Sequence, residues 1–384
     1  MNTSLNSKHR TQNLEQASEE HYDLIVIGGG ITGMFCALSY RKIYPKAKIA
    51  ILERGLFSSG ASTKNAGFAC FGSLSELQDD STKMTEKELL TVLQLRLEGL
   101  QLLRETLGDK NIDYQPNGGF ELFFEEHPKS LDSLSYFNEL LHPIFKKEVY
   151  TLKNSKIRDF GLDKTHVKHL VENSFEGQLN TGLMMQALRA KINTENISFL
   201  SKVEVSSFEE FNEKSTLLVS IQGEQIKLET RKIAVCNNAF AKRFFPALEL
   251  NPGRGLIFIT KPIKDLKLKG SFHYNEGYYY FRNIDNRVLF GGGRDLDIKT
   301  ETTTSFGVNS QIKQKLLKDL ETFILPGQSV LIEMEWSGIM GFGSKKTPLL
   351  QKVGDHIAMG VRLGGMGIAI GSKIGKATAE LLQE

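Results

Sequence analysis

The sequence predicts an α/β protein in which a doubly wound domain with a parallel sheet is interleaved with an antiparallel-sheet α+β domain. Two observations predict this fold. A short apolar run, a helical segment and a second apolar run follow one another within residues 22–53, which is the β-α-β pattern of a parallel sheet. Between residues 251 and 336, short alternating runs are separated by turn residues, as in an antiparallel sheet. A chain of 384 residues is long enough for two domains.

Composition and charge exclude several classes of protein. With 40% hydrophobic and 24% charged residues, the chain is typical of a globular protein with a large core. Its net charge of +3 is spread without long runs, so neither nucleic-acid binding nor a polybasic membrane contact is expected. No apolar run is long enough for a transmembrane segment.

The cysteines and the N-terminus indicate the compartment. The three cysteines, Cys36, Cys70 and Cys236, are an odd number without a C-x-x-C pair, which is typical of a reducing environment. Residues 1–20 are polar and lack the apolar centre of a secretion signal. We therefore expect a cytoplasmic protein with a disordered tail over residues 1–20.

The first elements follow from apolar runs and breakers. Residues 22–27 and 48–53 are β-branched, apolar runs that predict buried strands, and residues 31–43 between them predict a helix ended by Pro45. Residues 57–72 are mostly small and polar, so they form neither core nor helix. Such a long loop in a compact domain is usually functional.

The rest of the chain is predicted to contain further helices and strands. Thr85-x-x-Glu88 is a capping box that opens a long helix, which Gly108 ends. We further expect helices over residues 180–192 and 368–382, and strands over residues 197–208, 232–236, 256–260, 277–282, 287–290 and 356–360.

A glycine-rich turn carries the clearest functional signal. Gly28-x-Gly30-x-x-Gly33 follows the first strand and opens the first helix, and Glu53 ends the next strand. Gly28 permits the tight turn, Gly30 lets the backbone approach a pyrophosphate, and Gly33 lets helix and strand pack closely. Glu53 suits the hydroxyls of a ribose. The pattern predicts a site for NAD(P) or FAD, and Arg54 beside Glu53 would also suit a 2′-phosphate.

A second glycine-rich corner favours FAD. Residues 360–367 lead from a short strand into the last helix of the chain. The partial positive charge of that helix N-terminus would stabilise the electron-rich end of a reduced isoalloxazine. An enzyme that used only a nicotinamide would complete its dinucleotide domain early in the chain.

Four segments in order resemble one family. They are VIGGGITG with LER at residues 26–33 and 52–54, GASTKNAGF at 60–68, VCNNAF at 235–240, and the run over 336–377. Together they resemble the FAD-dependent D-amino-acid oxidase superfamily, which includes glycine oxidase, sarcosine oxidase and γ-glutamylputrescine oxidase, over nearly the whole chain after Tyr22. The resemblance implies an FAD-binding domain from residues 21–110, 151–250 and 337–384, and a substrate domain from residues 111–150 and 251–336.

The resemblance also implies cofactor contacts. Gly28, Gly30 and Gly33 would hold the pyrophosphate, Glu53 the adenosine ribose, and the backbone of Val205 the adenine. The residues beside the pyrophosphate and the flavin would be Ala61, Ser62, Asn65, Ala66 and Gly67. The isoalloxazine would be met from the other side by Gly338, Gly364, Gly365, Met366, Gly367 and Ile368.

Departures from the family pattern are informative. Members with covalent flavin attach it through a cysteine near the position of Met340 or a histidine near that of Lys64, and neither is present. Non-covalent FAD is therefore expected. Glycine and sarcosine oxidases hold a substrate carboxylate with basic residues around the positions of Met340, Gly365 and Ala369, and none of these is basic here. This favours an amine without a carboxylate at that place.

Aromatic and basic residues of the second domain are candidates for substrate binding. Tyr278, Tyr280 and Arg282 alternate along a predicted strand, so their side chains are expected on one side. Aromatic residues in this pattern also serve as ordinary core packing. Arg254 and His273 are further candidates.

No metal site is expected. His166-x-x-His169 lacks a third ligand at a compatible spacing, which is more typical of surface histidines.

These observations predict an FAD-dependent oxidoreductase that oxidises a C–N bond of a small amine or amino acid by hydride transfer, with oxygen or another carrier as electron acceptor. No residue is assigned as a catalytic base. One alternative is an FAD-dependent 2-hydroxy-acid dehydrogenase with His273 as base. Another is a protein that binds FAD without turnover, as an assembly factor or sensor.

Overall fold

The computed structural model describes residues 21–383, so the predicted tail over residues 1–20 lies outside the described residues. The strands are β1 (His21–Ile27), β2 (Ile49–Glu53), β3 (Phe68–Ala69), β4 (Gly119–Phe123), β5 (Tyr150–Leu152), β6 (His169–Asn173), β7 (Gly177–Gln178), β8 (Ser198–Ser201), β9 (Val203–Glu210), β10 (Ser215–Ile221), β11 (Glu224–Val235), β12 (Asn251–Thr260), β13 (Ser271–Tyr274), β14 (Tyr279–Ile284), β15 (Arg287–Gly292), β16 (Ile332–Phe342), β17 (Leu349–Lys352) and β18 (Ile357–Val361). The helices are α1 (Ile31–Ile43), α2 (Leu74–Lys83), α3 (Glu86–Leu107), α4 (Lys129–Asp132), α5 (Leu134–Phe145), α6 (Lys156–Asp159), α7 (Thr181–Thr194), α8 (Ile298–Glu301), α9 (Ser310–Asp319) and α10 (Gly367–Glu380).

The first sheet carries the glycine-rich turn. Its strand order is β17-β18-β11-β1-β2-β8, and the pairs from β18 to β8 are all parallel. Leu24 and Val26 of β1 face a core formed with the helices, whereas Ile25 and Ile27 face a core formed with β9 and β10. Burial on both faces explains why β1 reads as a continuous apolar run. The predicted α/β fold class is confirmed, with antiparallel strands covering the second face of the sheet.

Two close helix crossings hold α10 against α1 and α3. A Cβ at Gly375 of α10 would lie 2.3 Å from the Thr32 carbonyl oxygen of α1, and one at Gly99 of α3 would lie 2.1 Å from the Ala369 carbonyl oxygen. Only glycine permits these approaches. They fix the N-terminus of α10 relative to the turn after β1.

The second sheet has the order β16-β12-β15-β14-β13-β4-β6-β5 and is antiparallel except for the β13–β4 pair. Asp285 and Asn286 form the tip between β14 and β15, with φ angles of 46° and 57° that suit a type I′ hairpin turn. Phe272, Phe281 and Phe290 pack in the core beneath it.

Several elements differ from the sequence expectations. β5 and β6 pair in the second sheet although residues 151–250 were expected in the FAD-binding domain, and β16 crosses the expected boundary at residue 337. Helix α9 lies within a stretch interpreted as sheet, because Ile312 and Leu316 are buried one turn apart on its inner face. Helices α2 and α5 were not predicted either.

No helix within residues 21–383 combines the length and apolar character needed to cross a membrane. Cys36, Cys70 and Cys236 are buried free thiols.

Candidate active site

A cleft of about 580 Å³ lies between the two sheets. Its walls come from the turn after β1, the loop over residues 58–67, β9, β14, β16 and the N-terminus of α10. The first sheet and its loops line one end, and aromatic and charged side chains of the second sheet line the other.

The turn after β1 brings backbone close to the cleft. Gly28 has a φ of 109°, in the left-handed region that favours glycine. A Cβ at Gly33 would lie only 1.9 Å from the Gly28 carbonyl oxygen, and one at Gly30 would lie 2.8 Å from Oγ of Ser62. The N–H of Ile31 at the start of α1 donates to Oγ of Ser62 at 3.0 Å. The glycine turn itself thus carries no side chain towards the cleft, and the N-terminus of α1 with the Ser62 hydroxyl beside it suits a pyrophosphate.

Glu53 is fixed by backbone donors at the end of β2. Its Oε2 accepts the Gly29 N–H at 3.1 Å and its Oε1 accepts the Gly55 N–H at 2.8 Å. The side chain is buried and lines the cleft. Since each carboxylate oxygen can accept more than one hydrogen bond, Glu53 retains capacity for two ribose hydroxyls.

At the end of the cleft where adenine is expected, two valines form an apolar wall and an arginine stacks on a phenylalanine at the rim. Val203 and Val205 of β9 are buried and line the cleft. The guanidinium of Arg54, which is exposed, lies 4.2 Å from the centroid of the Phe240 ring at the rim. Stacking of this kind leaves the in-plane N–H donors of Arg54 free for a ligand.

Asn65 holds the small-residue loop in shape. Its Nδ2 donates to the carbonyl oxygens of Ala61 and Ser62 at 3.2 and 2.8 Å. Its Oδ1 accepts the Gly67 N–H at 2.9 Å and the Thr181 hydroxyl at 2.7 Å. The loop members assigned to FAD, including Ala66, all line the cleft, and none is bulky enough to fill it.

The wall around Gly338 and the start of α10 is open and carries the partial positive charge of a helix N-terminus. Gly338 and residues 364–368 line the cleft, and a Cβ at Gly365 would have no atom within 4 Å, so this backbone borders open space. Helix α10 begins at Gly367 with no acidic residue in its first turn and no side-chain cap. Its N-terminus therefore presents unpaired N–H groups and partial positive charge to the cleft. These features fit the planar, electron-rich isoalloxazine of FAD.

Three of the candidate substrate residues line the other end of the cleft, namely His273, Tyr278 and Tyr280. Burial raises the pKa of Tyr280 to about 12, so its phenol is neutral at pH 7. Burial lowers the pKa of His273, and its Nε2 is buried without a hydrogen-bond partner. The wall therefore presents aromatic rings to the cleft, with one imidazole nitrogen that has no hydrogen-bond partner.

The structure does not bring Arg282 or Arg254 to this wall. Arg282 lies behind Gly67 and lines a separate cavity of about 30 Å³ together with Asp113 and Gln178. Burial lowers the pKa of Arg282 to about 10. Arg254 instead forms a two-pronged ion pair with the buried Glu301, at 2.7 and 2.8 Å.

Sequence reasoning missed Arg294, which lines the cleft beside Tyr278. Its guanidinium lies 4.1 Å from the centroid of the Phe342 ring. The only sequence signal is the run of glycines before it. Gly292 and Gly293 have φ angles of 118° and 75°, and they turn the chain out of β15 so that Arg294 reaches the cleft.

The paired histidines do not form a metal site. His166 contacts Asp163, and His169 lies between Asn154 and the carbonyl oxygen of Glu126. In residues 21–383, no three His, Cys, Asp or Glu side chains are grouped so that they could hold a metal ion.

Comparisons with known proteins agree with this geometry. The family model described as FAD-dependent oxidoreductase matches residues 23–381. L-proline dehydrogenase from P. horikoshii superposes with a TM-score of 0.77 and 15% identity, covering 95% of this chain and 94% of that one. Glycine oxidase from Geobacillus kaustophilus gives 0.75 and 19%, covering 94% of each chain. L-amino acid deaminase from Proteus vulgaris gives 0.75 and 13%, covering 95% of this chain and 94% of that one. No curated protein sequence matches the chain.

Proposed function

Because this chain belongs to the FAD-dependent oxidoreductase family, the D-amino-acid oxidase superfamily that its sequence resembles, we propose that it oxidises a C–N bond of a small amine or amino acid. The observation that carries the proposal is a continuous cleft. It joins the glycine turn and Glu53 at one end to His273 and the two tyrosines at the other. A dinucleotide lying along the first end would place its reactive ring beside the second.

The chain's own residues would hold the cofactor without a covalent bond. The turn after β1 would bind the pyrophosphate, Glu53 the ribose, and Gly338 with the start of α10 the ring. FAD bound there would supply the hydride acceptor, so that the C–N bond becomes a C=N bond, which water then hydrolyses. Relatives with covalent flavin attach it through a cysteine near the position of Met340 or a histidine near that of Lys64, and this chain has neither residue there.

The substrate end favours the reactive form of an amine. Phe68, Tyr280, Met340 and Met366 form an apolar part of this end, beside charged lining residues such as Glu76 and Arg294. An apolar site disfavours a charged ammonium, so it lowers the pKa of a bound amine and leaves the nitrogen lone pair available. The N-terminus of α10 adds partial positive charge on the other side. No side chain then needs to act as a general base.

The names of the structural neighbours agree with an amine or amino acid as the substrate. The three proteins compared above are named for action on proline, glycine and L-amino acids. At 13 to 19% identity they share the fold, and their substrates are not carried over individually.

Product analysis tests the proposal. The FAD-loaded protein is incubated with amines, amino acids or 2-hydroxy acids, with oxygen or a dye as acceptor. We expect a carbonyl product together with ammonia or a smaller amine, from amines or amino acids only. A carbonyl product from 2-hydroxy acids alone would contradict the proposal.

His273 supports one alternative. Oxidation of a 2-hydroxy acid needs a base for the hydroxyl proton, and the lowered pKa of His273 keeps its buried imidazole neutral and able to accept one. In that case His273→Asn would abolish turnover of hydroxy acids. For amine oxidation we expect His273→Asn to change the rate by less than about tenfold, because no base is required.

A further inference from the structure

The guanidinium of Arg282 lies directly behind the loop over residues 58–67. A Cβ at Gly67 would be 2.8 Å from Nη2 of Arg282 and 3.1 Å from its Cζ. Gly67, with a φ of 75°, leaves room for the guanidinium because it has no side chain. Gly67 lines the cleft, whereas Arg282 does not. One residue of backbone therefore separates this charge from the space assigned to FAD.

Strand register directs Arg282 to this loop. Arg282 on β14 pairs with Leu289 on β15, so their side chains lie on the same face of the second sheet. Leu289 packs in one apolar cluster with Ala66 and Phe68 at the end of the loop. Tyr280, two residues before Arg282, shares this face and lines the cleft. The face of the sheet that carries Arg282 is thus the face that the loop covers.

The charge of Arg282 has no close counter-charge in the described part of the chain. Its Nε is buried without a hydrogen-bond partner, and no carboxylate in residues 21–383 forms an ion pair with it. Asp113 and Asp285 attract it from a distance, but both are exposed, so solvent screens them. Burial lowers the pKa of Arg282 to about 10, which leaves the group charged at pH 7.

The small cavity beside Arg282 does not account for an unpaired cation. Its volume of about 30 Å³ has room for water but not for a substrate or a dinucleotide. An unpaired, desolvated guanidinium costs free energy unless a negative charge compensates for it. A negative charge in the cleft, on the other side of Gly67, would provide this compensation.

A flavin ring bound against Gly67 would change its charge during the reaction. The ring takes up a hydride from the substrate, so the reduced ring carries one more negative charge than the oxidised ring. A strand of backbone is about 5 Å across. The charge of Arg282 then lies within the distance of about 10 Å over which charges interact at moderate salt. It would therefore stabilise the reduced ring more than the oxidised ring.

We propose that Arg282 raises the reduction potential of FAD bound in the cleft, acting across the backbone of Gly67 without touching the cofactor or the substrate. This deepens the proposed function and rests on the placement of FAD given there. It assigns a role to a substrate-binding candidate that the structure keeps away from the aromatic wall. Its positive charge adds to that of the N-terminus of α10.

The reduction potential of the loaded protein tests the inference. The FAD-loaded wild type, Arg282→Gln and Arg282→Lys are reduced anaerobically with dithionite beside an indicator dye of known potential. We expect Arg282→Gln to lower the equilibrium ratio of reduced to oxidised flavin at least about tenfold, which corresponds to about 30 mV for two electrons. Arg282→Lys keeps the positive charge and should retain most of the wild-type potential.

Arg287→Gln is the matched control. Arg287 lies on the same hairpin and pairs with Glu333 at 2.8 Å outside the cleft, so its removal should leave the potential unchanged. A wild-type potential in Arg282→Gln, or an equal fall in Arg287→Gln, would overturn the inference.

A second neutral variant covers a failure to load. Because Arg282 has no ion-pair partner to lose, we expect Arg282→Gln to fold and to bind FAD. If it does not retain FAD, Arg282→Met, which is also neutral and unbranched, takes its place. Loss of FAD from both neutral variants would show that Arg282 shapes the site and does not tune its potential, which would also overturn the inference.

FAD affinity separates an electrostatic role from a structural one. A structural role predicts that Arg282→Gln weakens the binding of oxidised and reduced FAD equally. The inference predicts a larger loss for reduced FAD, because the reduced ring carries the additional negative charge. Dithionite requires no substrate, so this measurement remains decisive if no amine reduces the flavin and the proposed function fails. A lowered potential in Arg282→Gln would then still support the inference.

Discussion

The carboxylate of Glu53 accepts the backbone N–H of Gly29, with 3.1 Å between oxygen and nitrogen. This bond ties the end of β2 to the glycine turn after β1. The two parts of a dinucleotide site are thereby held in one geometry before any ligand binds, which lowers the ordering cost of binding.

Replacing Glu53 should therefore weaken FAD binding. In Glu53→Gln, one of the two backbone N–H donors would face an amide N–H₂ instead of an oxygen, and one acceptor for the ribose is lost. We expect at least about tenfold weaker binding, measured by fluorescence titration of FAD. Glu105→Gln, at an exposed position on α3, is the control. Unchanged FAD affinity in Glu53→Gln would show that this side chain does not bind the cofactor.

Gly33→Ala should destabilise the first domain. The added Cβ would lie 1.9 Å from the Gly28 carbonyl oxygen, so the helix must move away from the strand. We expect a loss of at least about 2 kcal/mol in the free energy of unfolding, measured by urea denaturation. Gly60→Ala is the matched control, because its Cβ would meet nothing within 4 Å. Equal effects of the two substitutions would contradict the packing argument.

Glu176 should make stability depend on pH. Burial raises its pKa from the ordinary value of 4.5 to about 8, so the folded protein holds a proton that the unfolded chain releases. The stability that it contributes is complete below pH 4.5 and is lost as pH rises towards about 8. Glu121, whose pKa burial raises to about 7, adds to the same trend.

Glu176→Gln tests this directly. Its side-chain oxygen can still accept the N–H groups of Phe71 and Gly72, but the group no longer ionises. We expect the thermal midpoint to fall less steeply between pH 5 and 8 than in the wild type. The exposed Glu321→Gln should leave the slope as it is. A Glu176→Gln slope equal to that of the wild type would show that another group is responsible.

Arg254→Gln should destabilise the fold without changing substrate preference. It leaves the carboxylate of Glu301, which is 1% exposed, without its guanidinium. Breaking a buried pair costs about 3–5 kcal/mol, measurable by denaturant unfolding. The same substitution at Arg287, whose pair with Glu333 is at the surface, should have a much smaller effect. If Arg254→Gln instead lowered the activity on acid substrates more than the activity on amide substrates, Arg254 would belong to the substrate site.

The local parts of the site could be predicted from sequence, whereas the long-range parts could not. Gly28, Gly30 and Glu53 are set by one β-α-β unit whose spacing is visible in the chain, and the structure places all three in the lining of the cleft. Gly33 does not line the cleft and instead packs against Gly28. Arg254 was a candidate for substrate binding on its sequence alone. Its ion pair with Glu301 could not be predicted, because no local pattern indicates that the two residues meet.

Arg294 illustrates the opposite case. It reaches the cleft only because two left-handed glycines turn the chain and because β16 brings Phe342 beneath it. Tyr278 and Tyr280 line the cleft, but Arg282 lines a different cavity, since alternation along one strand does not say what packs on each side.

The most direct test of the central claim is the visible absorption spectrum of the FAD-loaded protein during anaerobic addition of amines, amino acids and 2-hydroxy acids. We predict a flavin band that bleaches with amines or amino acids and not with 2-hydroxy acids. A protein that shows no flavin band after incubation with FAD would contradict the cofactor site. A band that no substrate class bleaches would contradict the proposed reaction and favour a protein that binds FAD without turnover.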